Sequence, residues 1–98
     1  MKRELIIDKL RAHEGELHEA GILHLRLHGS KARGDDTPVS DVDLLADFDQ
    51  SKRLTLFSLS DVRMKIVDIL GMPVDLAQRD MLKEQVKARA EREAILVF

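Results

Sequence analysis

From Ile22 to His28 the chain alternates strictly, with Leu23, Leu25 and Leu27 on one side and His24, Arg26 and His28 on the other. A period of two predicts a strand that is covered on one face and open on the other. Before it, Leu5, Ile6, Leu10, Leu17 and Ala20 recur at helical spacing among charged residues, predicting an amphipathic helix over residues 2–20. Gly15 weakens that helix and Gly21 stops it. After the strand, Gly29-Ser30 breaks the alternation, residues 30–33 suffice for about one helical turn, and residues 34–40 are turn chemistry throughout. A second strand runs from Asp41 to about Phe48, with Asp41, Asp43 and Leu45 on one face and Val42, Leu44 and Ala46 on the other.

Thr55 to Leu70 returns to helical spacing, its apolar side being Leu59, Val62, Ile66, Val67, Ile69 and Leu70. Gly71 caps this helix and Pro73 prevents its continuation. Residues 73–77 form a short third strand with Val74 and Leu76 opposite Asp75, and a highly charged helix follows from Asp80 to the end. The order helix, strand, strand, helix, strand, helix predicts an α/β (α+β) fold: a small mixed sheet with helices packed on one face, forming one domain over residues 1–98.

Composition narrows the function. At 98 residues, 44% apolar and 35% charged, the chain can bury a single core and is too apolar for disorder. Sixteen Lys and Arg against eighteen Asp and Glu leave a formal charge of −2, which disfavours nucleic acid as a partner. The absence of Tyr and Trp argues mildly against base-stacking platforms and excludes self-modification on tyrosine. Without cysteine there is no disulfide framework and no thiolate metal site. The charged N-terminus does not read as a signal peptide, and no segment approaches the ~20 apolar residues of a membrane span. A cytoplasmic location is expected.

The charge distribution is more telling than its sum. Six of eleven aspartates (Asp35, Asp36, Asp41, Asp43, Asp47, Asp49) lie between positions 35 and 49. Gly29 lets the backbone approach a phosphate closely, and Ser30 offers a hydroxyl and an N–H to phosphate oxygens. Asp41 and Asp43, two apart on a strand, point their carboxylates the same way. A hard cation such as Mg²⁺ takes one or two carboxylates together with substrate phosphates, and Asp75 on a neighbouring open face supplies a third. Three clustered carboxylates repel one another unless a cation joins them. The pattern points to a metal-dependent enzyme acting on a nucleoside triphosphate, with Asp75 also placed to orient or deprotonate an acceptor hydroxyl.

The segments Leu27-His-Gly-Ser-Lys-Ala-Arg-Gly34 and Ser40-Asp-Val-Asp-Leu44, followed by Pro73-Val-Asp-Leu76, resemble the signature of the minimal nucleotidyltransferases of the DNA polymerase β-like superfamily. The resemblance spans about residues 20–77. It implies the nucleotidyltransferase fold, Mg²⁺ and ATP, with transfer of a nucleoside monophosphate to a hydroxyl and loss of pyrophosphate. Asp41, Asp43 and Asp75 would be catalytic and metal-binding, Gly29 and Ser30 would hold the nucleotide, and Arg33 would touch the triphosphate. It further implies an antitoxin paired with a HEPN-domain toxin, silenced by adenylylation (AMPylation) of a tyrosine. Two other readings stand beside it: an antitoxin that masks its toxin by binding alone, and a nucleotidyltransferase for a small aminoglycoside-like acceptor.

Other residues carry plainer expectations. Lys31, His13, His18 and the aspartates at 35, 36, 47 and 49 read as solvated, and Met64, Met72 and Met81 as core fillers. Ser40 reads as a cap for the loop before Asp41. His24 and His28 share an open face without a third ligand at zinc spacing. The tail, Ile95-Leu-Val-Phe98, either folds back on the core or docks on a partner.

Overall fold

The computed structural model describes residues 2–34, 41–49, 51 and 56–98, the side chains of Leu56 and Phe57 excepted. The expectations for Asp35, Asp36, Ser40 and the turn over 35–40 lie outside these residues, as does Thr55. In chain order the elements are α1 (Arg3–Ala12), α2 (Glu14–Glu19), β1 (Ile22–His28), α3 (Gly29–Arg33), β2 (Val42–Phe48), α4 (Leu56–Leu70), β3 (Val74–Gln78), a 3-10 turn (Arg79–Met81), α5 (Glu84–Glu93) and β4 (Ile95–Leu96). Among the described residues no helix is long and apolar enough to cross a membrane.

The strands form one mixed sheet in the order β3-β2-β1-β4. β1 is antiparallel to both β2 and β4, whereas β2 and β3 are parallel and joined through α4, as a parallel pair requires. Leu27, Leu44 and Leu76 stand in one row across three strands, all buried. Against that face pack Ile6 and Leu10 of α1, Leu17 of α2, and Val62, Ile66 and Leu70 of α4. The opposite face carries His28, Asp43, Leu45, Asp47, Asp75 and Ala77, and α5 lies over part of it.

Several elements depart from expectation in detail. The first helix is interrupted at His13 (φ −109°, ψ 18°), two residues before Gly15, the weakest helix former in the segment. In β1 the alternation slips: Ile22 is fully buried while Leu23 is 44% exposed. An irregularity in the β1–β2 ladder between Ile22 and His24 is the cause, since one extra residue moves the preceding side chain to the other face.

The charged helix ends at Glu93 and the tail leaves it as strand. Ala94 is extended, and Ile95 and Leu96 pair with Leu27 and Arg26. Val97 is buried, its N–H donates to the Leu25 carbonyl (2.8 Å), and the Val97 carbonyl accepts from Arg11 Nε (2.6 Å). Of the two fates open to the tail, the structure shows the fold-back. Met64 and Met81 are exposed rather than core fillers, while Met72 packs against the core.

Candidate active site

β1 ends by delivering His28 and then Gly29, which adopts φ +73° as the chain turns into α3. That left-handed conformation is one glycine reaches without steric cost. The glycine is needed for space as well. A β-carbon there would lie 3.2 and 3.3 Å from Cγ and Cβ of Asp43, and closer still to Asp43 Oδ2. The Asp43 carboxylate therefore sits directly against the bare backbone of Gly29.

Sheet register places the remaining groups. His28 is opposite Asp43 across β1 and β2, and Asp43 is opposite Asp75 across β2 and β3. Val42 N–H donates to the Pro73 carbonyl (3.1 Å), which pins the alignment at its origin. Asp41 stands just before β2 and is exposed. Among the described residues, no three such groups are drawn closely enough together to hold a metal ion as they stand. The structure thus pairs Asp43 with Asp75 and leaves Asp41 one residue outside the ladder.

The charges nevertheless act on one another. Burial pushes the Asp43 carboxyl above the ordinary aspartate range; His28 and Arg33 pull against this, and the charges of Asp75 and Asp41 add to it. His28 is lowered by burial, which outweighs the pull of Asp43, Asp75 and Glu93, so its imidazole is neutral near pH 7. A partly desolvated carboxylate beside two others is short of positive charge. All the donors are hard oxygens, the set that Mg²⁺ prefers over zinc-type nitrogen and sulfur ligands.

Beside this row opens a cleft of about 340 Å³. His28, Arg33, Asp75 and Glu93 form its polar side, and Leu45, Ala77, Leu82 and Val86 its apolar side. Ser30 is half-buried in α3, where its carbonyl accepts the Gly34 N–H (2.9 Å). Arg33, the last residue of α3, is exposed and donates from Nη1 to Glu93 Oε2 (3.0 Å).

Two residues read as solvated, Lys31 and Asp47, are covered instead. Lys31 is fully buried and engaged, because α3 packs onto β1 and β2 and turns Lys31 and Ala32 inward. Asp47 is largely covered and accepts from Arg26 Nη1 (2.9 Å) and from Arg79 Nε. Burial opposes its charge, but the two guanidinium hydrogen bonds prevail and hold its carboxyl below the usual range. Arg79 continues to Glu91 of α5 (2.7 Å). Asp49 accepts the Ser51 N–H and hydroxyl (2.9 and 2.7 Å), a local turn bond rather than free solvation. His18 remains partly exposed but bonds the Ile22 carbonyl (2.7 Å) and meets the Phe98 ring edge-on.

Sequence reasoning did not single out His28 or Glu93 for this site. For His28 a signal existed: it precedes Gly29 on the face the carboxylates share. Glu93 reaches the site only because α5 folds over the sheet, and spacing along the chain carries no trace of that.

Comparison with known proteins identifies the family of the chain. A family model described as a nucleotidyltransferase domain matches residues 7–97. The protein adenylyltransferase MntA of Thermococcus cleftensis is 34% identical over 89 residues, covering 90% of this chain and 88% of that protein. A solved structure assigned as a minimal nucleotidyltransferase superposes with a TM-score of 0.83 at 28% identity, covering 97% of this chain and 95% of the other. A chain from the solved complex of tri-AMPylated Shewanella oneidensis HEPN toxin with its MNT antitoxin gives a TM-score of 0.68 over 98% of this chain and 71% of that one. At 14% identity, that last likeness is one of fold alone.

Proposed function

Because the chain belongs to the nucleotidyltransferase-domain family, we propose that it is a protein adenylyltransferase: an antitoxin that transfers AMP from ATP to a hydroxyl of a HEPN-type toxin. The observation that carries this is the His28–Asp43–Asp75 row set against the bare backbone of Gly29. The adenylyltransferase name of the Thermococcus cleftensis relative and the AMPylated toxin of the Shewanella oneidensis complex support the acceptor class.

A divalent cation suits the chemistry of these donors: Asp43 stands opposite Asp75 in the ladder, and its carboxyl is raised first by burial and then by the charges of Asp75 and Asp41. Asp41, Asp43 and Asp75 would hold Mg²⁺, which supplies charge neutralisation for the triphosphate. Gly29 and Ser30 admit and bond phosphate oxygens, and Arg33 adds a guanidinium at the cleft. Asp75, the most open of the strand carboxylates, faces the acceptor and takes or orients its hydroxyl proton. The acceptor oxygen forms its bond to the α-phosphorus while the bond to the bridging oxygen breaks, and pyrophosphate leaves. Catalysis is positioning and charge stabilisation rather than covalent chemistry by the protein. We assign the chain to the cytoplasm, where ATP and an intracellular toxin meet.

The test is to incubate the chain with its HEPN partner, ATP and Mg²⁺ and to weigh both intact proteins. Whole adenylate units should appear on the partner and vanish with Asp43→Ala. A tight complex whose masses never change would replace this reading with neutralisation by masking.

A further inference from the structure

We propose that Glu93 is a built-in competitor for the triphosphate: its carboxylate holds Arg33 until nucleotide displaces it, and so sets nucleotide affinity. The proposal rests on the nucleotide-transfer reading above. Glu93 is the last residue of α5, where the helix dipole disfavours an acidic side chain. What retains it there is visible on both sides. Arg33 Nη1 lies 3.0 Å from Oε2, and Arg89 Nε lies 3.9 Å from Oε1.

Glu93 also lines the cleft with His28, Arg33 and Asp75, and its charge reaches His28. It therefore adds a carboxylate to a site that is already negative and that has to admit a polyanion. The same guanidinium cannot give its fork fully to Glu93 and to a phosphate. Both side chains are partly open, at 43% and 32% exposure, so the pair is weak enough to yield. A phosphate chain carrying several charges outbids one half-exposed carboxylate for Arg33.

Release of Glu93 has a second effect. Ion pairs tie α5 down in two places: to α3 through Arg33–Glu93, and to the 3-10 turn through Arg79–Glu91 and Lys87–Asp80. Nucleotide binding would cut the first and leave the second, loosening α5 at its C-terminal end beside the cleft.

The experiment measures binding of inorganic tripolyphosphate, and separately of ATP, each with Mg²⁺. The proteins are the wild type, Glu93→Gln, Arg33→Gln and the double variant. Glu93→Gln should tighten tripolyphosphate about two- to five-fold, the range an exposed ion pair commands. That gain should shrink at raised salt and disappear in the Arg33→Gln background. Unchanged affinity with a lowered melting temperature would make Glu93 a strut and overturn the inference. So would a gain that survives the loss of Arg33. If wild type bound no ATP at all, the transfer reading would fall and this inference with it, an outcome separate from equal binding by wild type and Glu93→Gln.

Discussion

The Asp43 carboxylate occupies the space a side chain on Gly29 would need, so the turn that admits a phosphate and the strand that offers a carboxylate are fitted to each other. Neither feature can be altered alone. Gly34 provides a comparison, for it too has a positive φ (+79°) yet, among the described residues, nothing lies within 4 Å of where its β-carbon would stand.

Gly29→Ala and Gly34→Ala should each lose about 1–2 kcal/mol to the left-handed backbone. For a domain of this size that lowers the melting temperature by about 4–8 °C per kcal/mol. Only Gly29→Ala should also suppress AMP transfer, because only there must the Asp43 carboxylate move. Thermal melts and transfer assays on both variants separate backbone strain from site damage.

Asp43 is expected to trade stability for chemistry. Its carboxyl is raised, so without a cation its ionised form is a cost in the folded state, one that grows as pH rises past the ordinary aspartate value. Asp43→Asn should therefore melt a few degrees higher than wild type in metal-free buffer near pH 7. Added Mg²⁺ with ATP should raise the wild-type melting temperature more than the variant's, and transfer should fall at least about 10²-fold.

Asp47 behaves in the opposite sense. Its folded-state carboxyl lies below the usual range, so its contribution is complete above about pH 4 and is lost as pH falls further. Asp47→Asn should destabilise by about 1–3 kcal/mol at neutral pH, leaving Arg26 and Arg79 short of an acceptor. The gap between variant and wild type should narrow on acidification, which urea titrations at several pH values would show.

The tail divides into a buried and an exposed half. Val97→Ala should cost about 1–2 kcal/mol, since its side chain is enclosed. Leu96, half exposed on β4, should tolerate alanine within about 0.5 kcal/mol. If Leu96→Ala weakens partner binding without moving the melting temperature, the outer face of β4 belongs to the interface.

The local pattern of the chain made much of this visible. The alternation in β2 and β3 put Asp43 and Asp75 on one face, and the Gly29-Ser30 break put the turn beside them. What stayed hidden depends on tertiary placement. A ladder irregularity exchanged Ile22 for Leu23 in the core, and no period within β1 announces it. Lys31 is inward because α3 lies on the sheet, and Asp47 is covered because Arg26 and Arg79 converge on it from separate elements. The tail's choice of β1 over a partner depended on an unpaired strand edge, which only the assembled sheet possesses.

The parallel pairing of β2 with β3 has a consequence for how such a site can change over time. Asp43 and Asp75 are neighbours because two backbones are hydrogen-bonded in a fixed register, so their separation is set by the ladder, at about 4.8 Å between strands, rather than by side-chain packing. Sliding β3 by one residue would send its carboxylate into the core and a leucine or valine into the cleft. Spacing in this centre can therefore be inherited only in steps of two residues. The helices behind it remain free to drift in sequence so long as they keep their apolar stripe.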